Sequence, residues 1–413
     1  MGGSLLAVAR QRRASAGGSS QVYQDESGAE DVEDAQSRSL CPQKRAETCG
    51  ARSVDFVDRH RRLDIAGESV YVPRAADAQD DGRATRYLKG SIERTHAMDD
   101  IVEKMRKSDK SCYKNFFANC SWVQSNRKYI YPVKWRGKTS RNSFCFGNPK
   151  CPTDSFEALR TVFPFINRDR FNEATNGDGH ELTRITRLHS SSLIAYLMFG
   201  QITEEQPLVI RVNDRDAKFT DVHFEVKNSI EDNDTHPSNV DVVLSNNTTI
   251  LFIESKFTEY LCRSRVAKNI SDRRYGNCFR ELFNKFDGIK YEMGKDESSS
   301  MLVSSDGKSH YIDGLKQVIA HYMGLKYASQ KGWFGQKQEN INGRRLYFAE
   351  IVFDFGDEWS KKARDDYMTL YQRLVEKLPP RDDITVCPKI ITYQEVFKDF
   401  AVEECVRQFY RLM

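Results

Sequence analysis

The chain has 413 residues, 30% of them charged and 39% hydrophobic, with a formal net charge of +4. That is enough apolar material for one large domain or two smaller ones, and no run approaches the ~18 consecutive apolar residues of a membrane span. The small net charge neither requires nor excludes a nucleic-acid partner, so the distribution of charge matters more than its sum. Ten cysteines without a framework of spacings point to reduced thiols and a cytoplasmic setting.

Residues 1–97 hold thirteen Arg but only Lys44 and Lys89, and are rich in Ala, Gly, Ser and Asp. They lack apolar periodicity, which predicts a disordered N-terminal tail. Residues 98–154 read as a basic, aromatic lead-in segment, irregular and partly helical. Between 121 and 150 there are seven basic residues and no acid, interleaved with Trp122, Tyr129, Tyr131, Trp135, Phe144 and Phe146. Such a stretch suits a phosphate backbone as well as an ordinary solvated face, and Lys134 and Arg136 are its nucleic-acid candidates. Cys112, Cys120, Cys145 and Cys151 fall here, but their spacings lack the C-x2-C knuckle of a zinc site.

Residues 155–413 are read as a single α/β domain. A short helix or turn is expected over Phe156 to Phe165. Leu182, Ile185, Leu188, Leu193, Tyr196 and Leu197 predict a helix from about Gly179 to Phe199, ended by Gly200. Strands are expected at about 207–212, 219–227, 239–245 and 249–256, then a helical region at 272–290 and a loop from Ser298 to Lys308. A second long helix runs from Ile312 to Gln330 and a buried strand from Leu346 to Phe355. A third helix ends before Pro379-Pro380, a short strand lies within Pro388 to Tyr393, and Gln394 to Leu412 closes in helix. Residues 261–280, directly after the fourth strand, hold six basic residues against Asp272 alone. Arg263, Arg265, Lys268, Arg273 and Arg274 are therefore further nucleic-acid candidates.

The strands at 239–245 and 249–256 carry the chemistry. Asp241, Glu254 and Lys256 sit in otherwise apolar strands, where a charge is costly unless paired or bound to a metal. If Asn246-Asn247 forms a two-residue hairpin loop, Asp241 faces Phe252. Phe252, Glu254 and Lys256 share a face by alternation, and cross-strand neighbours share a face too. The three charges then converge on one side of the sheet; a four-residue loop, Asn246 to Thr249, keeps the same parity, and a three-residue loop breaks it. Two carboxylates and a strand carbonyl are hard oxygen ligands of the kind Mg2+ takes, and a lysine beside them can orient water and offset charge at phosphorus.

These residues resemble the PD-(D/E)XK, or restriction-endonuclease-like, nuclease superfamily. Asp241 matches its first acid and Glu254-Ser255-Lys256 its tripeptide, while Val240 stands where the pattern has proline. The resemblance covers roughly residues 155–400. It implies an αβββαβ core, with a mixed central sheet flanked by helices, and a Mg2+-dependent (or Mn2+-dependent) endonuclease. Asp241, Glu254 and the Ser255 backbone carbonyl would be the metal ligands and Lys256 a catalytic group. DNA is the expected substrate, RNA stays open beside it, and a homodimer is compatible with it. The other reading is a catalytically inactive nucleic-acid-binding protein of the same fold. The resemblance also singles out Glu181, at the start of the first long helix, and Gln317, on the second. Gln317 lies in a polar stripe with Asp313 and His321, a pattern that more commonly marks a solvated face.

A second tripeptide, Glu225-Val226-Lys227, follows Asp214 and Asp216. Its strand alternates polar and apolar residues, as a half-exposed strand does, whereas Ile250 to Ile253 reads as a buried central strand. The expectation is that 219–227 is the first strand of the same sheet, with Glu225 on a solvated outer face and dispensable for catalysis.

Overall fold

A computed structural model of the chain describes residues 115–135, 138–147, 152–176, 184–212, 215–234, 236–270, 280–284, 286–293, 300–341 and 343–412. The expected tail at 1–97, with Glu181, Arg136, Arg273 and Arg274, lies outside the described residues, as do the side chains of Lys134 and Lys268.

In chain order the elements are α1 (Ser121–Asn126), β1 (Ile130–Trp135), β2 (Lys138–Phe146), α2 (Pro152–Val162), α3 (Arg168–Ala174), α4 (Ser191–Phe199), β3 (Leu208–Val212), β4 (Arg215–Phe219), β5 (Asp221–Asn228), β6 (Ser238–Ser245) and β7 (Thr249–Lys256). Then come β8 (Val266–Ile270), β9 (Ile289–Met293), β10 (Ser300–Ser304), α5 (Ile312–Lys331), β11 (Trp333–Phe334), β12 (Glu339–Asn340), β13 (Arg345–Val352), α6 (Glu358–Lys377), β14 (Ile384–Val386), β15 (Ile391–Thr392), α7 (Tyr393–Val396) and α8 (Glu404–Tyr410).

The centre is a six-stranded mixed sheet. Strands β5, β6 and β7 form an antiparallel meander, β13 lies parallel to β7, and β14 and β15 each pair parallel with β13. Strand β7 is buried at every position, as a strand flanked on both edges and covered on both faces must be. One face meets α4, where Ser255 Oγ donates to Ser191 O at 3.1 Å. The other meets α5 and α6. There Gly314 lets α5 and α6 close up, since a Cβ would stand 2.3 Å from Tyr367 Oη. That approach lets Tyr367 donate to Glu350 Oε2 at 2.9 Å.

Several expectations change. The hairpin between β6 and β7 uses the four-residue loop, because Ser245 pairs with Ile250 and Val243 with Phe252. Asn246 Oδ1 accepts from the backbone N–H groups of Thr248 and Thr249, closing that loop locally. The helix expected from Gly179 to Phe199 is interrupted: residues 184–185 are helical, 186–190 are not, and α4 begins at Ser191. Residues 186–188 instead pair with β2, through Phe146 N to Thr186 O and Leu188 N to Phe144 O, and Ser190 caps the helix by accepting from Leu193 N. The 219–227 strand is two strands, β4 and β5, with a break at residue 220. Residues 289–290 are strand rather than helix, and the expected loop at 298–308 contains β10, both parts of a three-stranded sheet with β8. Strand β14 was not anticipated, and the closing helix is two short ones.

The aromatics of the basic lead-in are mainly core. Phe144 and Phe146 are buried, and Trp122 stacks on Phe163 at 5.1 Å and meets Phe409 at 5.0 Å. Tyr131 stays exposed. Cys120 and Cys145 are buried free thiols, and burial pushes the Cys145 thiol up to about 12.

Candidate active site

Asp241, Glu254 and Lys256 do converge. The β6–β7 ladder ends at Val242 with Ile253, and continuing its register sets Asp241 opposite Glu254. At that point the Asp241 side chain replaces a backbone acceptor: Ser255 N donates to Asp241 Oδ2 at 2.7 Å. Glu254 and Lys256 follow on the same face by alternation. Each is only 3% exposed, yet both line a cavity of about 500 Å3.

Helix α5 supplies the partners. Lys256 Nζ donates to Glu254 Oε1 and, at 2.8 Å, to Gln317 Oε1, while Gln317 Nε2 donates to Glu254 Oε1 at 2.9 Å. One turn on, His321 is buried and stacked on Phe348, and its Nδ1 lies 2.7 Å from Ser238 Oγ. His321 Nε2 stands 2.8 Å from Glu254 Oε2, the buried carboxylate oxygen that neither Lys256 nor Gln317 takes. The polar stripe on α5 is thus not a solvated face: Gln317 and His321 turn into the site and only Asp313 is exposed.

The electrostatics follow from burying acids beside one ammonium. Burial raises the Asp241 carboxyl well above the usual range, and the Glu254 and Glu225 carboxylates push it further, against Lys256 and the Ser255 N–H. For Glu254 burial acts in the same sense, but the Lys256 ammonium and then His321 more than offset it and hold the group below the usual carboxylate range. Burial alone would lower Lys256; the surrounding acids, Glu254 first, hold it well above its ordinary value. The ion pair is therefore charged, and removing one partner from such a buried pair costs on the order of 3–5 kcal/mol.

The acids continue across the sheet. Glu350 on β13 pairs in register with Glu254 and is fully buried; burial pushes its carboxyl up to about 8. On the other side, Phe224 pairs with Val242 and Val226 with Val240, which sets Glu225 opposite Asp241. Glu225, Asp241, Glu254 and Glu350 thus occupy one row across four adjacent strands. This corrects the expectation for Glu225, which is half-buried and lines the same cavity as Asp241, Glu254 and Lys256. Its backbone has φ +49°, a left-handed conformation that costs a non-glycine residue on the order of 1–3 kcal/mol and that clusters at functional sites.

The basic candidates fare differently. Arg263 and Arg265 are exposed, and Arg263 Nη1 pairs with Asp366 at 3.0 Å, away from this cavity. Arg184, Arg187 and Lys316 line the cavity instead, beside Ser191 and Ser192 in the first turn of α4. Composition could not single these out, because they come from separate segments with no local basic excess.

A protein-family model described as restriction endonuclease associating with ARP matches residues 122–340, just over half of the 413-residue chain. The match spans β5, β6, β7 and α5, and so every residue of the cavity named above. No curated protein and no solved structure matches the chain.

Proposed function

The chain belongs to the restriction endonuclease associating with ARP family, and from that membership and the geometry of the cavity we propose that it is a metal-dependent endonuclease of the PD-(D/E)XK type, hydrolysing phosphodiester bonds in DNA. The observation that carries this reading is the convergence of Asp241, Glu254, Lys256 and Gln317 in one cavity, from two adjacent strands and the facing helix. With β3, β4 and β8 to β12 as intervening elements, the succession of α4, antiparallel β5, β6 and β7, then α5 and parallel β13 is compatible with the arrangement the resemblance implies.

The donor set fits a hard divalent cation such as Mg2+ or Mn2+. Glu254 Oε2 is a buried oxygen that neither Lys256 nor Gln317 takes, Asp241 is crowded by other carboxylates, and both residues open on the cavity. Asp241, Glu254 and the Ser255 carbonyl would hold the ion. When bound, it supplies acidification of water and neutralisation of phosphate charge.

The chain's own residues do the rest. Lys256 gives two of its three N–H donors to Glu254 and Gln317, which fixes the ammonium and leaves one donor for the attacking water or a phosphoryl oxygen. Gln317, tied to both members of the ion pair, keeps them in register. Arg184, Arg187, Lys316 and the N-terminal amides of α4 meet the phosphates on either side of the scissile bond. Water adds to phosphorus, the bond to the 3′ oxygen breaks, and that oxygen leaves with a proton from solvent, giving 5′-phosphate and 3′-hydroxyl ends.

The test is cleavage of supercoiled plasmid by the full chain in Mg2+ or Mn2+, with chelator and with the Asp241→Asn/Glu254→Gln double variant as controls. Nicked or linear product that both controls abolish is expected. Cleavage by the double variant at the wild-type rate would remove these acids from the reaction, and a folded wild-type chain that cuts neither DNA nor RNA would refute the enzyme reading.

A further inference from the structure

Glu225 belongs to a tripeptide that the sequence alone sets aside, yet three observations bring it to the site. It lies opposite Asp241 in the β5–β6 register. It lines the cavity together with Asp241 and Glu254. Its own pairing is interrupted, since the ladder holds at Phe224 and Val226 but not between them, and φ there is +49°. The register is unchanged on either side, so nothing is inserted: one residue alone is turned out of the ladder. A local distortion of that kind re-aims a side chain without moving the strand.

The row of carboxylates also outnumbers the ammonium hydrogen-bonded into it. Among the described residues Lys256 is the one ammonium tied to Glu254, Glu254 Oε2 has the His321 ring nitrogen 2.8 Å away, and Asp241 stands between two other carboxylates in the row. A carboxylate offers about four lone-pair sites; Asp241 gives one to the Ser255 N–H, and Glu254 gives two on Oε1 to Lys256 and Gln317. The lone pairs left on Asp241 and Glu254 are oxygen donors suited to a hard cation.

We propose that Glu225 is a third carboxylate ligand for a divalent cation at this site, joining Asp241 and Glu254 from the edge of the sheet. This rests on the metal-dependent reading above, and it names a ligand from β5 where the resemblance offers one from the segment around Glu181. The twisted backbone at Glu225 is then the feature that carries its carboxylate toward the ion, and Val226 and Lys227 are incidental.

Calorimetric titration of Mn2+ into the full chain, without nucleic acid, tests it independently of cleavage. Glu225→Gln should weaken Mn2+ binding at least tenfold while Lys227→Ala leaves it unchanged; Glu254→Gln, the positive control, should weaken it as much or more. Glu225→Gly separates a ligand from a merely structural role. Glycine accepts φ +49° without strain, so this variant removes the carboxylate while easing the backbone; it should fold by circular dichroism and still lose the tenfold in Mn2+ affinity. Wild-type affinity in both Glu225 variants, with binding lost in Glu254→Gln, would overturn the proposal and leave the nuclease reading standing. Absence of Mn2+ binding by the wild-type chain would overturn both.

Discussion

Two E-x-K tripeptides lie two strands apart in one sheet, and their environments differ. Glu254-Ser255-Lys256 is on β7, flanked by β6 and β13, and all three residues are buried. Glu225-Val226-Lys227 is on β5, the edge strand, and all three are half-buried. The central strand cannot shed its charges into water, so it pairs them: Lys256 with Glu254, and both with Gln317. The edge strand has no such constraint and spends a strained residue to turn one carboxylate toward the shared cavity. A tripeptide is therefore read by the strand that carries it, and an edge strand can lend a single residue to a centre built elsewhere.

The comparison is broken most decisively at the central pair of acids. Asp241→Asn and Glu254→Gln should each reduce metal-dependent cleavage to background while leaving DNA binding in a filter or gel-shift assay, because the basic residues that meet phosphate are untouched. Asp241→Asn keeps an acceptor for the Ser255 N–H, so its melting temperature should stay near wild type. A single-turnover rate near wild type in either variant would move the chemistry away from this row.

Next in size is Lys256→Ala, expected to slow the single-turnover chemical step by on the order of 10²-fold, the range for losing one preorganised donor to developing charge. It also leaves Glu254 without its ammonium, so circular dichroism should accompany the kinetics. Lys256→Arg should rescue poorly, since a planar guanidinium cannot reach Glu254 and Gln317 with the same donors. Unchanged chemistry in a folded Lys256→Ala variant would make the lysine structural. Lys227→Ala, its counterpart on the edge strand, should leave cleavage within about twofold of wild type, within the small effects of most surface changes.

The smallest effect concerns stability near the outer end of β5. His223 Nδ1 lies 3.2 Å from Glu173 on α3, and Nε2 lies 3.2 Å from Asp221 and 3.5 Å from Glu339. Hydrogen bonds to Asp221 and then Glu173 raise its pKa to about 10. A folded-state pKa above the unfolded value of about 6.5 means a stabilisation fully present below pH 6.5 and lost as pH rises through about 10. Asp221 is held down at about 2, chiefly by its hydrogen bond from His223 against the opposing effect of burial, so it stays ionised through that window. His223→Gln should accordingly melt below wild type at pH 6, with the gap closing near pH 10. A gap independent of pH would assign His223 a packing role alone.

Much of the site was legible in the sequence. The parity of the β6–β7 hairpin depends only on alternation and on an even loop, so the convergence of Asp241, Glu254 and Lys256 survived the change from a two- to a four-residue loop. Helix α5 was equally plain: expected from Ile312 to Gln330, it runs Ile312–Lys331. Gln317 came from the resemblance rather than from its spacing, which favoured a solvated stripe.

What the sequence left undecided required contacts between distant segments. The β5–β6 connection is too long to fix a register, so nothing local revealed that Glu225 stands opposite Asp241. His321 looked like the end of a polar stripe because only α5 packed over β7 brings it 2.8 Å from Glu254. Residues 186–188 had helical spacing, but backbone hydrogen bonds to β2 hold them as a turn around the Arg187 bridge, and α4 begins at Ser191. The basic aromatic stretch at 121–150 read as a phosphate-binding or solvated face, but Phe163 and Phe409 enclose Trp122 and Phe146. Alternation and periodicity are properties of the chain itself and fix which residues share a face. Which face is then covered, and by what, is decided by packing between segments far apart in sequence, and that is known only once they meet.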